Sequence, residues 1–159
     1  MSPGQLFLLC NLAVLPAWGL LVVAPKWRWT RAIAAYFTPA GLALLYLVLM
    51  VTHFEPRGGG FGSIDQLADT FRNPWLLLAG WLHYLAVDLF VGAWQVRDAQ
   101  RLGIRHAFVI PCLALTFVVA PLGLVVYLGV RYAFWRRLPP PEDQPFAVPR
   151  SRRGAPPPR

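Results

Sequence analysis

The stretch from Asn73 to His106, NPWLLLAGWLHYLAVDLFVGAWQVRDAQRLGIRH, decides the fold of this chain. Its first part, Pro74 to Gln95, is apolar and long enough to cross a hydrocarbon core of about 30 Å as one helix. That run nevertheless contains two ionisable residues, His83 and Asp88. An ionisable side chain at the centre of a membrane span costs roughly 2.5–3.5 kcal/mol on insertion scales, so both residues are candidates for function.

The geometry of an α-helix sets where these side chains lie. Asn73 is a good N-cap and Pro74 suits the first helical position, which fixes the start of the helix. His83 then lies roughly 13 Å along the helix and Asp88 about 7 Å further, near mid-membrane. The two are about 140° apart around the axis, so they are not an i, i+4 pair. Acting together, they would flank a cleft from two sides of one helix, and Tyr84 is the residue placed to touch Asp88.

Three further apolar runs of spanning length accompany this helix. Hydrophobic residues make up 57% of the chain and charged residues 14%, whereas soluble domains are about 25% charged. The sequence therefore predicts an all-α, polytopic membrane protein with four transmembrane helices in a bundle. Pro39, Pro111 and Pro121 should bend the second and fourth helices and open space between neighbours. We expect the four helices near residues 5–24, 32–53, 74–95 and 107–132.

Basic and aromatic residues alternate at the ends of these runs. The chain carries a net charge of +8, and the segments PKWRWTR (25–31) and YAFWRR (132–137) are typical of interfacial anchors. Their rings would lie at headgroup level and their cations toward phosphate. The lipid bilayer is therefore the expected partner, and nucleic-acid binding is not expected. With four spans, the uncharged start of the chain and the cluster at 26–31 favour both termini outside.

Two segments outside the spans differ from them in character. Ser63 followed by Gln66 predicts a capping box at the start of a short amphipathic helix, along the membrane surface or capping the bundle. Residues 139–159 are rich in proline and cannot build a core. The predicted organisation is a transmembrane domain at 1–138 followed by a disordered tail at 139–159.

The residue pattern predicts no metal site and no cofactor. His53, His83 and His106 should lie at three different depths, and no H-x-x-x-H spacing occurs, so a haem or metal protein is disfavoured. Cys10 and Cys112 lie inside apolar runs and are expected to be small packing residues.

Three segments carry a resemblance to a known family: AGWLHYLAVDLFVG (79–92), PCLALTF (111–117) and PLGLVVYLGVR (121–131). They resemble the abscisic-acid-deficient-type, neoxanthin synthase-like membrane proteins, which occur in plant plastids and in bacteria. The most specific part is W-x-H-x-x-x-x-D-L-F from Trp81 to Phe90, together with Asp98. The resemblance covers nearly the whole chain except the tail. As a bacterial-type member, the protein is expected in the bacterial inner membrane.

For the plant members, the resemblance implies conversion of the epoxy-carotenoid violaxanthin into neoxanthin, an allenic carotenoid. That isomerisation needs an acid for the epoxide oxygen and a base for a proton of the polyene. His83 and Asp88 match the family's positions and suit these roles as a neutral imidazole and a desolvated carboxylic acid. Several members have arginine at the place of Ala93, whereas here Arg97 follows one turn later.

Two classes of function remain open at this point. In the first, the protein binds or isomerises a carotenoid-like or isoprenoid lipid by acid–base chemistry, with His83 and Asp88 as catalytic residues. Its substrate site would be lined by Trp81, Tyr84, Arg97, Asp98 and Thr116. In the second, the protein is a non-catalytic bundle whose polar residues form interhelical hydrogen bonds, each worth about 0.6 kcal/mol. The sequence names neither the substrate nor the oligomeric state.

Overall fold

Helices form all the regular secondary structure in residues 1–54 and 60–136, the part of the chain that the computed structural model describes. The predicted all-α membrane fold is confirmed. The predicted domain boundary at 138 and the proline-rich segment 139–159 lie outside the described residues. In chain order, the helices are α1 (Pro3–Val23), α2 (Arg28–Ala32), a π-helical turn (Ile33–Phe37), α3 (Thr38–His53), α4 (Ile64–Phe71), α5 (Pro74–Arg101), α6 (His106–Val118) and α7 (Ala120–Trp135).

Three of the described helices are long and apolar enough to cross a bilayer: α1, the continuous helix Arg28–His53, and α5. They correspond to the helices predicted near 5–24, 32–53 and 74–95, and α5 continues beyond the prediction to Arg101. The count of four spanning helices is not confirmed, because the fourth apolar run is divided into the two shorter helices α6 and α7.

The second spanning helix accommodates Pro39 through its π-helical turn. Proline has no N–H to donate, and its ring clashes with the carbonyl four residues earlier, which here belongs to Ala35. The π-turn Ile33–Phe37 contains Ala35 and closes with the Thr38 N–H bonded to the Ile33 carbonyl. Such a turn inserts one extra residue without ending the helix. The bend predicted at Pro39 therefore takes the form of a π-turn within a continuous helix.

Helix α5 is the centre of the bundle. Its start is capped as predicted, because the Trp75 N–H donates to Asn73 Oδ1 at 3.0 Å. The helix packs against α1, α3, α4, α6 and α7. Its close approach to α1 depends on Gly92, where a Cβ atom would lie 2.7 Å from the ring of Trp18. The stretch from Asn73 to His106 therefore contains the central helix of the bundle.

The short helix α4 caps one end of the bundle, at the start of α5. Ser63 Oγ accepts a hydrogen bond from the Gln66 N–H at 3.2 Å. The Gln66 side chain reaches the Gly62 N–H at 3.1 Å, so only half of the predicted capping box forms. Phe71 lies on Gly80 of α5, where a Cβ atom would be 3.1 Å from the ring.

The fourth apolar run, predicted as one helix near 107–132, folds back on itself. Helix α6 ends at Val118, and Val119 adopts an extended conformation (φ −145°, ψ 87°) before α7 begins. The rings of Phe108, near the start of α6, and Phe134, near the end of α7, have centroids 5.5 Å apart. One continuous helix would separate these positions by about 39 Å. Helices α6 and α7 are therefore an antiparallel hairpin with its tip at Val119.

Two residues of α7 explain this reversal. Pro121 is in the first turn of α7, where its missing N–H costs nothing, but it could not continue α6. Gly123 lets the two helices meet, because a Cβ atom there would overlap the backbone nitrogen and the hydroxyl of Thr116. The bend predicted at Pro121 is thus a full reversal of the chain.

The hairpin gathers basic side chains at one end of the bundle. Gln100 Nε2 donates to the Pro25 carbonyl at 2.8 Å, and His106 Nε2 lies 2.9 Å from the Val22 carbonyl, so the α1–α2 and α5–α6 connections meet there. Among the described residues, Arg72 is the basic side chain at the opposite end. The basic end carries Lys26, Arg28, Arg31, Arg97, Arg101, Arg105, Arg131 and Arg136.

This asymmetry predicts the orientation of the protein in a membrane. The side that retains Lys and Arg is the cytoplasmic side under the positive-inside rule. The end of α7 at Trp135 lies on that side, whereas the start of α1 at Pro3 lies on the other. The predicted orientation agrees with the expectation that both termini lie outside for the start of α1 and differs from it for the end of α7. That expectation rested on four separate spans, which divided the basic residues almost evenly.

Reporter fusions test this orientation. A reporter inserted after residue 27, 104 or 136 should report the cytoplasmic side, and a reporter after residue 60 should report the opposite side, because the hairpin returns to the side that it leaves. Four separate spans would instead place residues 60 and 136 on the same side, and that pattern would contradict the hairpin.

Candidate functional site

Asp88 is buried halfway along α5. It lies roughly 21 Å from Pro74 and about 20 Å from Arg101 along the helix axis. The residue is only 6% exposed, and its Oδ2 atom is buried without a hydrogen-bond partner in residues 1–54 and 60–136. A buried polar atom without a partner costs roughly 1–3 kcal/mol, and more when the group is charged. Asp88 is thus the described residue that most requires a functional explanation.

Asp88 lines a cavity of about 360 Å³ between α1, α5 and the tip of the α6–α7 hairpin, here called the Asp88 cavity. Apolar side chains form most of its wall, including Leu15, Trp18 and Phe117. Its polar groups come from Asp88, Tyr84 and Asn11. A mostly apolar cavity with a few convergent polar groups is typical of a small-molecule site.

Tyr84 connects Asp88 with the hairpin tip. Its hydroxyl lies beside the Asp88 carboxyl and donates to the carbonyl oxygen of Val118 at 3.4 Å. Trp81 stacks on Tyr84, with ring centroids 5.3 Å apart, and its Nε1–H donates to Asn11 Oδ1 at 3.3 Å. The predicted contact between Tyr84 and Asp88 therefore forms, and Trp81 joins the same site.

A second, larger groove adjoins the Asp88 cavity. It has a volume of about 610 Å³ and lies between α1, α4 and α5, with Phe7 and Phe71 in its wall; we call it the Phe71 groove. Trp81 and Tyr84 line both spaces. The two spaces are therefore neighbours, one at the α4 end of the bundle and the other at Asp88.

His83 does not share the Asp88 cavity. It is exposed on the opposite side of α5, where it lines a groove with Pro39 and Tyr46. The rings of His83 and Tyr46 have centroids 5.8 Å apart. The angular separation expected from the sequence explains this placement. The expected cleft flanked by both residues does not form, because each side chain faces a different neighbour of α5.

Arg97 and Asp98, expected in the substrate site, lie at the basic end of α5 and do not line the Asp88 cavity. Arg97 Nη1 lies 3.5 Å from the Tyr36 hydroxyl, and its Nε atom is buried without a partner in the described part of the chain. Asp98 Oδ2 accepts from the Tyr127 hydroxyl at 2.8 Å and from Arg131 Nε at 2.7 Å. Asp98 therefore holds the open end of the hairpin to α5.

Thr116 belongs to a second structural contact between α5 and the hairpin. Gln95 Nε2 donates to Thr116 Oγ1 at 2.9 Å, and the Thr116 hydroxyl donates to the Cys112 carbonyl at 2.8 Å. Both side chains are fully buried. Thr116, expected in the substrate site, therefore does not line the Asp88 cavity. Gln95 was not predicted as the partner of Thr116, and Tyr127 and Arg131 were not predicted as the partners of Asp98. Tyr127 and Arg131 meet α5 at Asp98 only because the fourth run folds back.

This arrangement defines a polytopic membrane protein that buries a carboxyl group beside an apolar cavity at mid-membrane depth. A model of the ABA DEFICIENT 4-like family matches residues 5–127, and the chain belongs to that family. The neoxanthin synthase-like resemblance carried by Trp81 to Phe90 is thereby confirmed.

The chain is 27% identical over 133 residues to Protein ABA DEFICIENT 4, chloroplastic, from Arabidopsis thaliana. The match covers 77% of this chain and 58% of the relative, so the chain spans somewhat more than half the length of that protein. No solved structure matches the chain.

The Asp98 contact gives a prediction with a matched control. Asp98→Ala removes the acceptor of Tyr127 and Arg131. We expect it to lower the free energy of unfolding by roughly 1–3 kcal/mol, the cost of leaving a buried donor without an acceptor. Asp69→Ala removes the exposed Asp69–Arg72 ion pair, which is worth at most about 1 kcal/mol. Thermal unfolding in detergent should separate the two variants, and equal stability would show that Asp98 does not hold the hairpin.

Proposed function

We propose that this protein binds a carotenoid-like or isoprenoid lipid in the Asp88 cavity and isomerises it by acid–base chemistry at Asp88. One observation carries the proposal: Asp88 Oδ2 is buried at mid-membrane depth and has no hydrogen-bond partner among the described residues. A polar oxygen on a bound lipid would supply that partner. The family membership supports the choice of lipid class.

The shape of the site supports a long, thin substrate. The Phe71 groove and the Asp88 cavity share Trp81 and Tyr84 in their walls, which are predominantly apolar and aromatic. An extended polyene would occupy both spaces, over the roughly 21 Å along α5 from Pro74 to Asp88. Its polar end group would then reach Asp88, while the apolar chain remains among side chains of its own polarity.

The chemistry requires one group that first donates and then accepts a proton. In an epoxide-to-allene isomerisation, protonated Asp88 would donate its proton to the epoxide oxygen as the C–O bond opens. The resulting Asp88 carboxylate would then remove a proton from the adjacent polyene carbon, which forms the new double bond and restores the acid. No net oxidation occurs. The apolar wall would exclude water from the intermediate cation.

The distance of each polar side chain from Asp88 determines the role that we give it. Tyr84 and Asn11 are placed to orient the substrate oxygen beside Asp88. If His83 were the base, His83 and Asp88 would have to reach one substrate. Because the two line different cavities, the proposal gives both proton transfers to Asp88.

A non-catalytic bundle is the second candidate function. The buried Gln95–Thr116 pair and the contacts of Asp98 with Tyr127 and Arg131 favour it, because they show that polar side chains also hold these helices together. In that case Asp88 would be a further structural group, and its replacement by an apolar residue would be tolerated.

The site of action is a membrane. The name of the Arabidopsis relative places that protein in the chloroplast, which does not support the expected bacterial inner membrane. The proposed isomerisation does not depend on which cellular membrane holds the protein.

The test compares lipid extracts by mass spectrometry from a deletion strain complemented with wild type, Asp88→Asn or His83→Gln. The amide of Asp88→Asn keeps the shape of the carboxyl but cannot transfer its proton, so we expect a folded protein and loss of the product by at least about 100-fold. The control His83→Gln lies on the other face of α5 and should retain the wild-type profile.

Thermal stability in detergent identifies folding failure in either variant. A folded Asp88→Asn protein with a wild-type lipid profile would remove the catalytic proposal. In combination with a stable Asp88→Leu variant, the same result would favour the structural bundle.

A further inference from the structure

We propose that the basic end of the bundle contains a binding site for the phosphate headgroup of an anionic membrane lipid. The site is a pocket of about 270 Å³ between the α1–α2 segment and the last turns of α5, here called the Arg97 pocket. It is separate from the Asp88 cavity, and the proposal does not depend on the proposed function. The cations that line the pocket are Lys26, Arg28, Arg31 and Arg97.

The charge of the Arg97 pocket lacks compensation within the described part of the chain. None of its four cations forms an ion pair there, and no carboxylate lines the pocket. The nearest acid in sequence, Asp98, is occupied by Arg131 and Tyr127. Four like charges around a space of this size repel one another, so an anion bound among them would be stabilised.

Arg97 provides the most specific sign of a missing partner. Its Nε atom is buried and has no hydrogen-bond partner among the described residues. Arg97 Nη1 lies 3.5 Å from the Tyr36 hydroxyl, which is long for a hydrogen bond. A guanidinium group can bind phosphate through two parallel N–H···O bonds. A phosphate oxygen in the pocket would give the buried Nε–H an acceptor.

The walls of the pocket are held in place without a ligand. Gln100 Nε2 donates to the Pro25 carbonyl at 2.8 Å and so ties the α1–α2 segment to α5. Within that segment, the buried Thr30 hydroxyl donates to the Ala24 carbonyl at 2.7 Å. A site preformed in this way loses less conformational entropy when it binds.

The location favours a lipid over a free anion. Trp27 and Trp29 are exposed beside the pocket, and exposed tryptophans mark the headgroup level of a bilayer. Leu21, Ala93 and Val96 form an apolar floor below the cations. Basic pockets between helices on the cytoplasmic side are typical headgroup sites. The occupant would place its phosphate among the cations and its acyl chains along the exposed apolar surface.

The test measures lipid retention by the full chain in detergent, using native mass spectrometry with phosphatidylglycerol and phosphatidylcholine as probes. We expect wild type to retain phosphatidylglycerol about 10-fold better than the zwitterionic lipid. Arg97→Gln should lose about 10-fold in retention, the effect of one charge-assisted hydrogen-bonding group. The control Arg101→Gln, one turn further along α5 and outside the pocket, should match wild type.

Three results would overturn the proposal. Equal losses in Arg97→Gln and Arg101→Gln would indicate diffuse surface charge. Displacement of phosphatidylglycerol by millimolar inorganic phosphate would assign the pocket to a free anion. No preference between the two lipids would exclude an anion site. If Arg97→Gln does not fold, Arg28→Gln, an exposed lining residue, replaces it with the same expected loss.

Discussion

The chain reverses direction at Val119, at the level of Tyr84 on α5, and the rest of the structure depends on how the polar backbone groups of that reversal find partners. Non-helical backbone at membrane depth is tolerated only where its polar groups find partners in the protein or line a cavity. Here the Val119 N–H bonds to the Leu115 carbonyl at 2.7 Å, and the Val119 carbonyl accepts from the Leu122 and Gly123 N–H groups at 3.0 and 3.1 Å. Tyr84 donates to the Val118 carbonyl from α5. The residue that supports the tip is therefore also the residue that touches Asp88.

The same reversal explains the two ends of the molecule. At the tip, the hairpin does not fill the space beside α1 and α5, so Asp88 faces a cavity. At the open end, Arg131 and Tyr127 return to α5 and occupy Asp98. Asp98 is then not available to the neighbouring Arg97, which faces the opposite pocket with the cations of the α1–α2 segment. A single helical hairpin thus accounts for two buried atoms that lack a hydrogen-bond partner in the described part of the chain, Asp88 Oδ2 and Arg97 Nε.

The sequence was sufficient for features that depend on local chemistry. Asn73 and Pro74 predicted the start of α5, Ser63 predicted α4, and the angular separation of His83 and Asp88 predicted that they leave α5 on different sides. It was not sufficient for the hairpin, because an apolar run of spanning length fits either one long helix or two short antiparallel helices. Pro121 and Gly123 indicated an irregularity, but whether a chain bends or reverses depends on the space that its neighbours leave. The pairings of Gln95 with Thr116 and of Asp98 with Arg131 follow from that reversal and could not be predicted without it.

The distance between spin labels at the two ends of the hairpin tests this account most directly. Labels at Phe108→Cys and Tyr132→Cys, both exposed positions, can be introduced after replacement of Cys10 and Cys112 by alanine. A hairpin predicts a separation of roughly 10–20 Å, one helix-to-helix spacing plus the label arms. A single spanning helix would separate the two positions by about 36 Å. A distance distribution centred near the longer value would contradict the hairpin, and with it the shape of the Asp88 cavity and the charge asymmetry.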